Sequence, residues 1–217
     1  MPTTLPTGDM LVMLAVLATA FAFKPWLPLS HRPLQMPWLG AMTLLPFVWW
    51  TEHLLPNGMA LHITGSFLLI LMFGWPLAMW SLLPIGFAAG LIGQTHSPEI
   101  GQILQHIVWH GMIPGTLGLL IGLGVRTWVA QHMFVYILGR AFMTTAVAVS
   151  ISSVLAWITG QKPDTLSTEE WMLAHWLLGW AEAISTGMLT SIFVAFKPEW
   201  LLTYSDERYL PRKPGTK

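Results

Sequence analysis

Long apolar runs separated by short polar stretches set the pattern of this chain from residue 10 to residue 196. A helix that crosses a bilayer takes roughly 20 apolar residues, with scatter for tilt and re-entrant pieces. On that measure the pattern predicts seven spans, at about 10–29, 34–51, 58–74, 75–93, 103–125, 133–158 and 171–196. The expectation is an all-α, polytopic integral membrane protein, with residues 1–217 forming a single membrane domain. Only Gly74, Trp75 and Pro76 separate the third and fourth spans, which reads as a tight turn. Pro84 and Pro114 each remove a backbone donor and predict kinks. No segment reads as a strand, an internal repeat or a low-complexity linker.

Composition sharpens this picture. Hydrophobic residues make up 54% of the chain and charged residues 9%, against about 25% charged in ordinary soluble domains. So few charges cannot cover a globular surface. The ten basic and ten acidic residues balance, which gives no reason to expect a nucleic-acid partner. With no Cys, disulfides, thiolate metal sites and Cys nucleophiles are all excluded. The opening MPTTLPTGDM carries no Lys or Arg and no small-residue cleavage site, so the first apolar run is read as a retained helix rather than a signal peptide.

The basic residues orient the spans. With the tail 197–217 on the cytoplasmic side, Lys24, Arg32, Arg126, Lys197, Arg208, Arg212, Lys213 and Lys217 all fall inside, and only Lys162 falls in an outer loop. This is the positive-inside pattern, and it puts the N-terminus outside a cell inner membrane.

Direction then assigns depth to the eight His residues. His53, His62, His96, His106, His110 and His175 lie at or near the outer face, contributed by four separate spans; only His31 and His132 fall inside. His106 and His110 are four apart, so their rings leave the same helical face. Neutral imidazole is the commonest protein metal ligand and suits Co, Ni, Cu and Zn alike. Glu52 and Glu99 are placed to attract cations to the mouth. For His53, His96 and His175 the plainer reading is an interfacial anchor or a core hydrogen-bonder. His62 sits inside an otherwise apolar run, where an ionisable residue by default marks a functional site.

Two charged residues lie deeper. Glu182 falls near the middle of the last span, at the bottom of a polar cavity below the His group, and Arg140 in the inner half of the sixth. Their backbones are about two helical turns apart in depth, so Arg140 reads as a structural tether rather than a partner of Glu182. Gly115, Gly118, Gly122 and Gly124, with Ala18 and Ala22 in the first span, permit close helix contact and hint at a partner subunit.

Residues 55–78, LPNGMALHITGSFLLILMFGWPLA, resemble the G-x-x-x-H-x-T-G segment of the cobalt/nickel energy-coupling-factor permeases of the CbiM/NikM type. Gly58, His62, Thr64 and Gly65 match, and Gly74–Trp75–Pro76 is a permuted form of the turn that follows. AEAISTGMLTSIFVAF (181–196) resembles the last-helix A-I-S-E-G-L-L-T segment, through Ala183, Ile184, Ser185, Gly187, Leu189 and Thr190. The small-residue helix between them is also similar. HMFVYILGRAF (132–142) and KPEWLLTYSDERYL (197–210) resemble a divergent proteobacterial branch of the family. The resemblance implies a substrate-capture subunit that takes a transition-metal ion from outside and works with a transmembrane coupling subunit and cytoplasmic ATPases. It assigns His62 as a ligand. The family's N-terminal Met-His is absent, since the chain opens Met1–Pro2–Thr3, and Thr186 stands where the family carries Glu, with Glu182 one turn earlier.

The expected metal group is therefore His62, His106, His110, His175 and Glu182, with a transition-metal ion as substrate, no organic cofactor and no enzymatic activity. No G-x-x-x-x-G-K-[ST] occurs, so ATP hydrolysis falls to partners. Two other readings stay open: a membrane redox or metalloenzyme subunit with His bound to haem or copper, and a membrane scaffold whose His are interfacial anchors.

Overall fold

The computed structural model describes residues 7–51, 63–93, 100–162 and 166–210. Among these residues it contains helices and turns and no strand. In chain order the helices are α1 (Thr7–Ala22), α2 (Arg32–Trp50), α3 (Ser66–Phe73), α4 (Trp75–Gly93), α5 (Ile100–Trp128), α6 (Val135–Ile158), α7 (Thr168–Phe196) and a short α8 (Asp206–Tyr209). Helices α4 to α7 are long and apolar enough to cross a membrane, and α1 is a shorter apolar helix.

The third predicted span is the main departure. Where hydropathy predicts helix over 58–74, α3 occupies only Ser66–Phe73. Eight residues rise about 12 Å, well short of a hydrocarbon core of about 30 Å. Backbone conformation sets both ends. Gly65 has φ +63° and Gly74 φ +80°, and the left-handed region is open at little cost only to glycine. A Cβ on Gly65 would also lie 3.1 Å from Leu45, and one on Gly74 would lie 3.1 Å from Leu202.

Apolar on every side, α3 must be enclosed. Seven of its eight residues are buried, and α2, α4, α5, α6 and α7 all pack on it. The close approach of α5 depends on its glycines. A Cβ on Gly118 would lie 2.5 Å from the Phe67 ring, and one on Gly115 would lie 3.2 Å from Ile70. Gly115 and Gly118 thus serve packing within the chain.

The two predicted proline kinks resolve differently. Helix α4 runs unbroken through Pro84. In α5, Pro114 has no N–H for the carbonyl of His110, and its ring crowds that carbonyl. The helix widens into a π-helical turn over Ile107–Met112, in which the Ile113 N–H donates to Val108 five residues back. Helix α7 begins with a capping box: Glu170 N–H donates to Ser167 Oγ at 3.2 Å, and Ser167 N–H donates to the Glu170 carboxylate at 2.9 Å.

Beyond α7 the tail folds back onto the end of α3. Leu202 N–H donates to the Met72 carbonyl at 3.0 Å, and Thr203 donates from N–H and Oγ1 to the Leu71 carbonyl at 3.3 and 2.9 Å. These bonds satisfy carbonyls that a helix C-terminus leaves open. Arg140 belongs to this end of the molecule. It donates to the Tyr209 hydroxyl at 3.3 Å and to the Thr203 carbonyl at 3.5 Å, the tether expected of it. Tyr136, Tyr204 and Tyr209 cluster beside it with ring centroids 5.0 to 5.4 Å apart, Tyr204 and Tyr209 stacked and Tyr136 set at an angle to both.

Candidate metal centre

Helices α5, α6 and α7 and the turn at Thr64 line a cavity of about 180 Å³. His106 and His110 enter from α5, His175 and Glu182 from α7, Ser152 and Ser153 from α6, and Thr64 from the turn. Four of the five expected site residues thus face one space. The fifth, His62, lies outside the described residues, as do His53, His96, Glu52 and Glu99.

Glu182 anchors the cavity. Only 1% exposed, it takes three hydrogen bonds from the turn before α3. Its Oε2 accepts from Thr64 N–H at 2.8 Å; its Oε1 accepts from Gly65 N–H at 2.8 Å and from Thr64 Oγ1 at 2.6 Å. At 2.6 to 2.8 Å these bonds are at the short end of the usual range. Trp49 of α2 completes the clamp, donating from its indole N–H to the Thr64 carbonyl at 2.9 Å. Thr64 Oγ1 in turn accepts from Ser66 N–H at 3.2 Å, capping the first turn of α3. Both N–H groups point at the carboxylate, and the left-handed Gly65 then turns the chain into α3.

His106 and His110 are stacked, with centroids 4.5 Å apart and planes 20° from parallel. The π-helical turn starts directly after His106 and contains His110, so the i, i+4 pair sits one above the other. Imidazole lone pairs lie in the ring plane, so those of a stacked pair run nearly parallel. Holding one ion at about 2.0–2.1 Å from both rings therefore takes a rotation of one of them. The edge of His106 also packs against Trp49 at 5.3 Å.

His175 lies 3.8 Å from the Trp171 ring, and its Nδ1 donates to the Trp171 carbonyl at 2.9 Å. That bond fixes the tautomer of the neutral ring and leaves the lone pair on Nε2, the arrangement in which an outer partner orients a ligating imidazole. Among the described residues no group of three or more His, Asp or Glu side chains is close enough to hold a metal ion.

The wall holds residues that spacing does not single out. Gln105 and Gln161, both in the lining, hydrogen-bond to each other. The Trp109 indole, which also lines the cavity, donates to Asp9 of α1 at 3.0 Å. Asp9 is buried, and its Oδ2 has no hydrogen-bond partner. A carboxylate at the start of an apolar helix was the only available sign of this contact.

The model of the CbiM family, described as the cobalt uptake substrate-specific transmembrane region, matches residues 3–200. The chain belongs to that family. It is a multi-pass membrane protein, as the four long apolar helices require. No curated protein and no solved structure matches it. Membership fits a transporter component in which the Thr64–Gly65 turn and the last helix, the two segments whose motifs carry the likeness, are joined through Glu182.

Proposed function

We propose that this chain is the substrate-capture subunit of an energy-coupling-factor transporter, taking a transition-metal ion of the cobalt/nickel type into the cavity between α5 and α7. His62 is the principal ligand, His106 and His110 are next, and His175 and Glu182 contribute further. The observation that carries this reading is the Glu182 clamp. It fixes the chain two residues beyond His62 to the wall that also bears His106, His110 and His175. In the sequence His62 precedes Thr64 by two residues.

The chain does no chemistry of its own. It binds the ion from the outer side of the inner membrane, with its N-terminus outside and its tail cytoplasmic. A transmembrane coupling subunit and cytoplasmic ATPases drive release. The ligands are imidazole nitrogens, which serve Co, Ni, Cu and Zn; the family favours cobalt among them.

Uptake of labelled cobalt by cells expressing the chain with its coupling subunit and ATPases tests the proposal. His62→Ala and Glu182→Ala should each abolish accumulation while the protein still reaches the membrane. Normal uptake by His62→Ala would overturn it.

A further inference from the structure

Arg140 poses a problem the metal cavity does not solve. It is 6% exposed, and its contacts are all with neutral groups: the Tyr209 hydroxyl, the Thr203 carbonyl and, at 5.7 Å, the Tyr136 ring. Its Nε has no hydrogen-bond partner. Among the described residues no carboxylate pairs with it. A buried guanidinium in a membrane protein is expected to have an anion.

A second observation is a hollow beside it. Arg140 and Arg126 line one small hollow between α5 and α6, with a volume of about 10 Å³, room for a single oxygen-sized atom. Val125, Val129 and Val135 form its wall and also the wall of a larger apolar groove of about 510 Å³. Ile121, Leu138, Met143 and Val147 line that groove, and the last three are exposed on the outside of the helix pair. The hydroxyl of Thr144 in its wall is already bonded to the Gly139 carbonyl. The site is thus doubly cationic at one end and offers no free polar group along the rest.

We propose that this hollow and groove bind one anionic phospholipid, a phosphate oxygen lying between Arg140 Nε and Arg126 and an acyl chain lying along Ile121, Leu138 and Val147. Two guanidinium groups at one end and an unbroken apolar surface along the rest fit the phosphate and the acyl chain of a single anionic lipid. Basic pockets between transmembrane helices are known lipid head-group sites. The inference is independent of the metal reading.

The test is native mass spectrometry of the full chain, purified in mild detergent and loaded with equal phosphatidylglycerol and phosphatidylcholine of the same acyl length. One phosphatidylglycerol should be retained, preferred about fivefold or more over phosphatidylcholine. Arg126→Gln, which leaves the tail contacts of Arg140 intact, should bring the preference close to parity. Leu138→Trp, which fills the groove, should lower retention of both lipids. Equal retention by the unmodified chain, or an unchanged preference in Arg126→Gln, would overturn the proposal. So would Arg126→Gln and Leu138→Trp each releasing the coupling subunit without altering lipid retention, which would make the groove a protein interface.

Discussion

Glu182 accepts both the backbone N–H and the side-chain hydroxyl of Thr64, at 2.8 and 2.6 Å, across 118 positions of sequence. This relationship joins the last long helix to the turn that starts α3. Glu182→Gln tests it with little change in volume. The amide keeps one acceptor but turns an NH₂ toward a backbone N–H, so a donor faces a donor. The expected loss is about 1–3 kcal/mol, read as a lower thermal midpoint in detergent and weaker metal retention. Glu182→Gln with unchanged stability would mean that the clamp does not bear on the fold.

The contact of α5 with α3 depends on the missing side chain at Gly118. A Cβ there would lie 2.5 Å from Phe67, so Gly118→Ala should destabilise the protein by about 1–3 kcal/mol through overpacking. Phe67→Leu in the same chain should recover part of that loss, since neighbours in contact are not additive. Gly40→Ala on α2, where a Cβ meets nothing within 4 Å, should be neutral or slightly stabilising. Thermal unfolding of the four proteins decides it.

The chain has three tyrosines, and all of them pack in the cluster that docks the tail. Tyrosinate absorbance therefore reports on that cluster alone. Burial, together with the neighbouring Asp206 carboxylate, pushes the Tyr204 phenol up to about 12. Because the folded value lies above the ordinary value of about 10, this contribution to stability is full below pH 10. It is lost as pH rises through the folded value. An alkaline titration should show a late phase near pH 12, and Asp206→Asn should move it downward. A single phase at the ordinary value in both proteins would contradict the docking of Tyr204.

How much of this was legible follows from which contacts are local. The apolar runs of α4 to α7 and the i, i+4 pairing of His106 with His110 depend on neighbours along the chain, so pattern alone reaches them. The place of Glu182 midway along α7 and the separation of Arg140 from it also follow from helical rise. Hydropathy overextends the third span because it scores composition and is blind to backbone dihedrals; Gly65 and Gly74 end α3 through positive φ. The bonds from Thr64 and Gly65 to Glu182, and from Tyr209 to Arg140, join distant segments and carry no local signature. The π-helical turn sits between these cases: Pro114 announced a disturbance, but relief by widening rather than kinking is a tertiary outcome.

The central claim is that the cavity holds a transition-metal ion through histidines of separate segments. Equilibrium dialysis of the detergent-purified protein against Co²⁺, followed by elemental analysis, tests it most directly, with His62→Ala and His110→Ala dialysed alongside. One bound ion per chain is expected in the unmodified protein, with binding abolished in His62→Ala and weakened at least about tenfold in His110→Ala. No stoichiometric metal in the unmodified protein, or equal binding in all three, would contradict it.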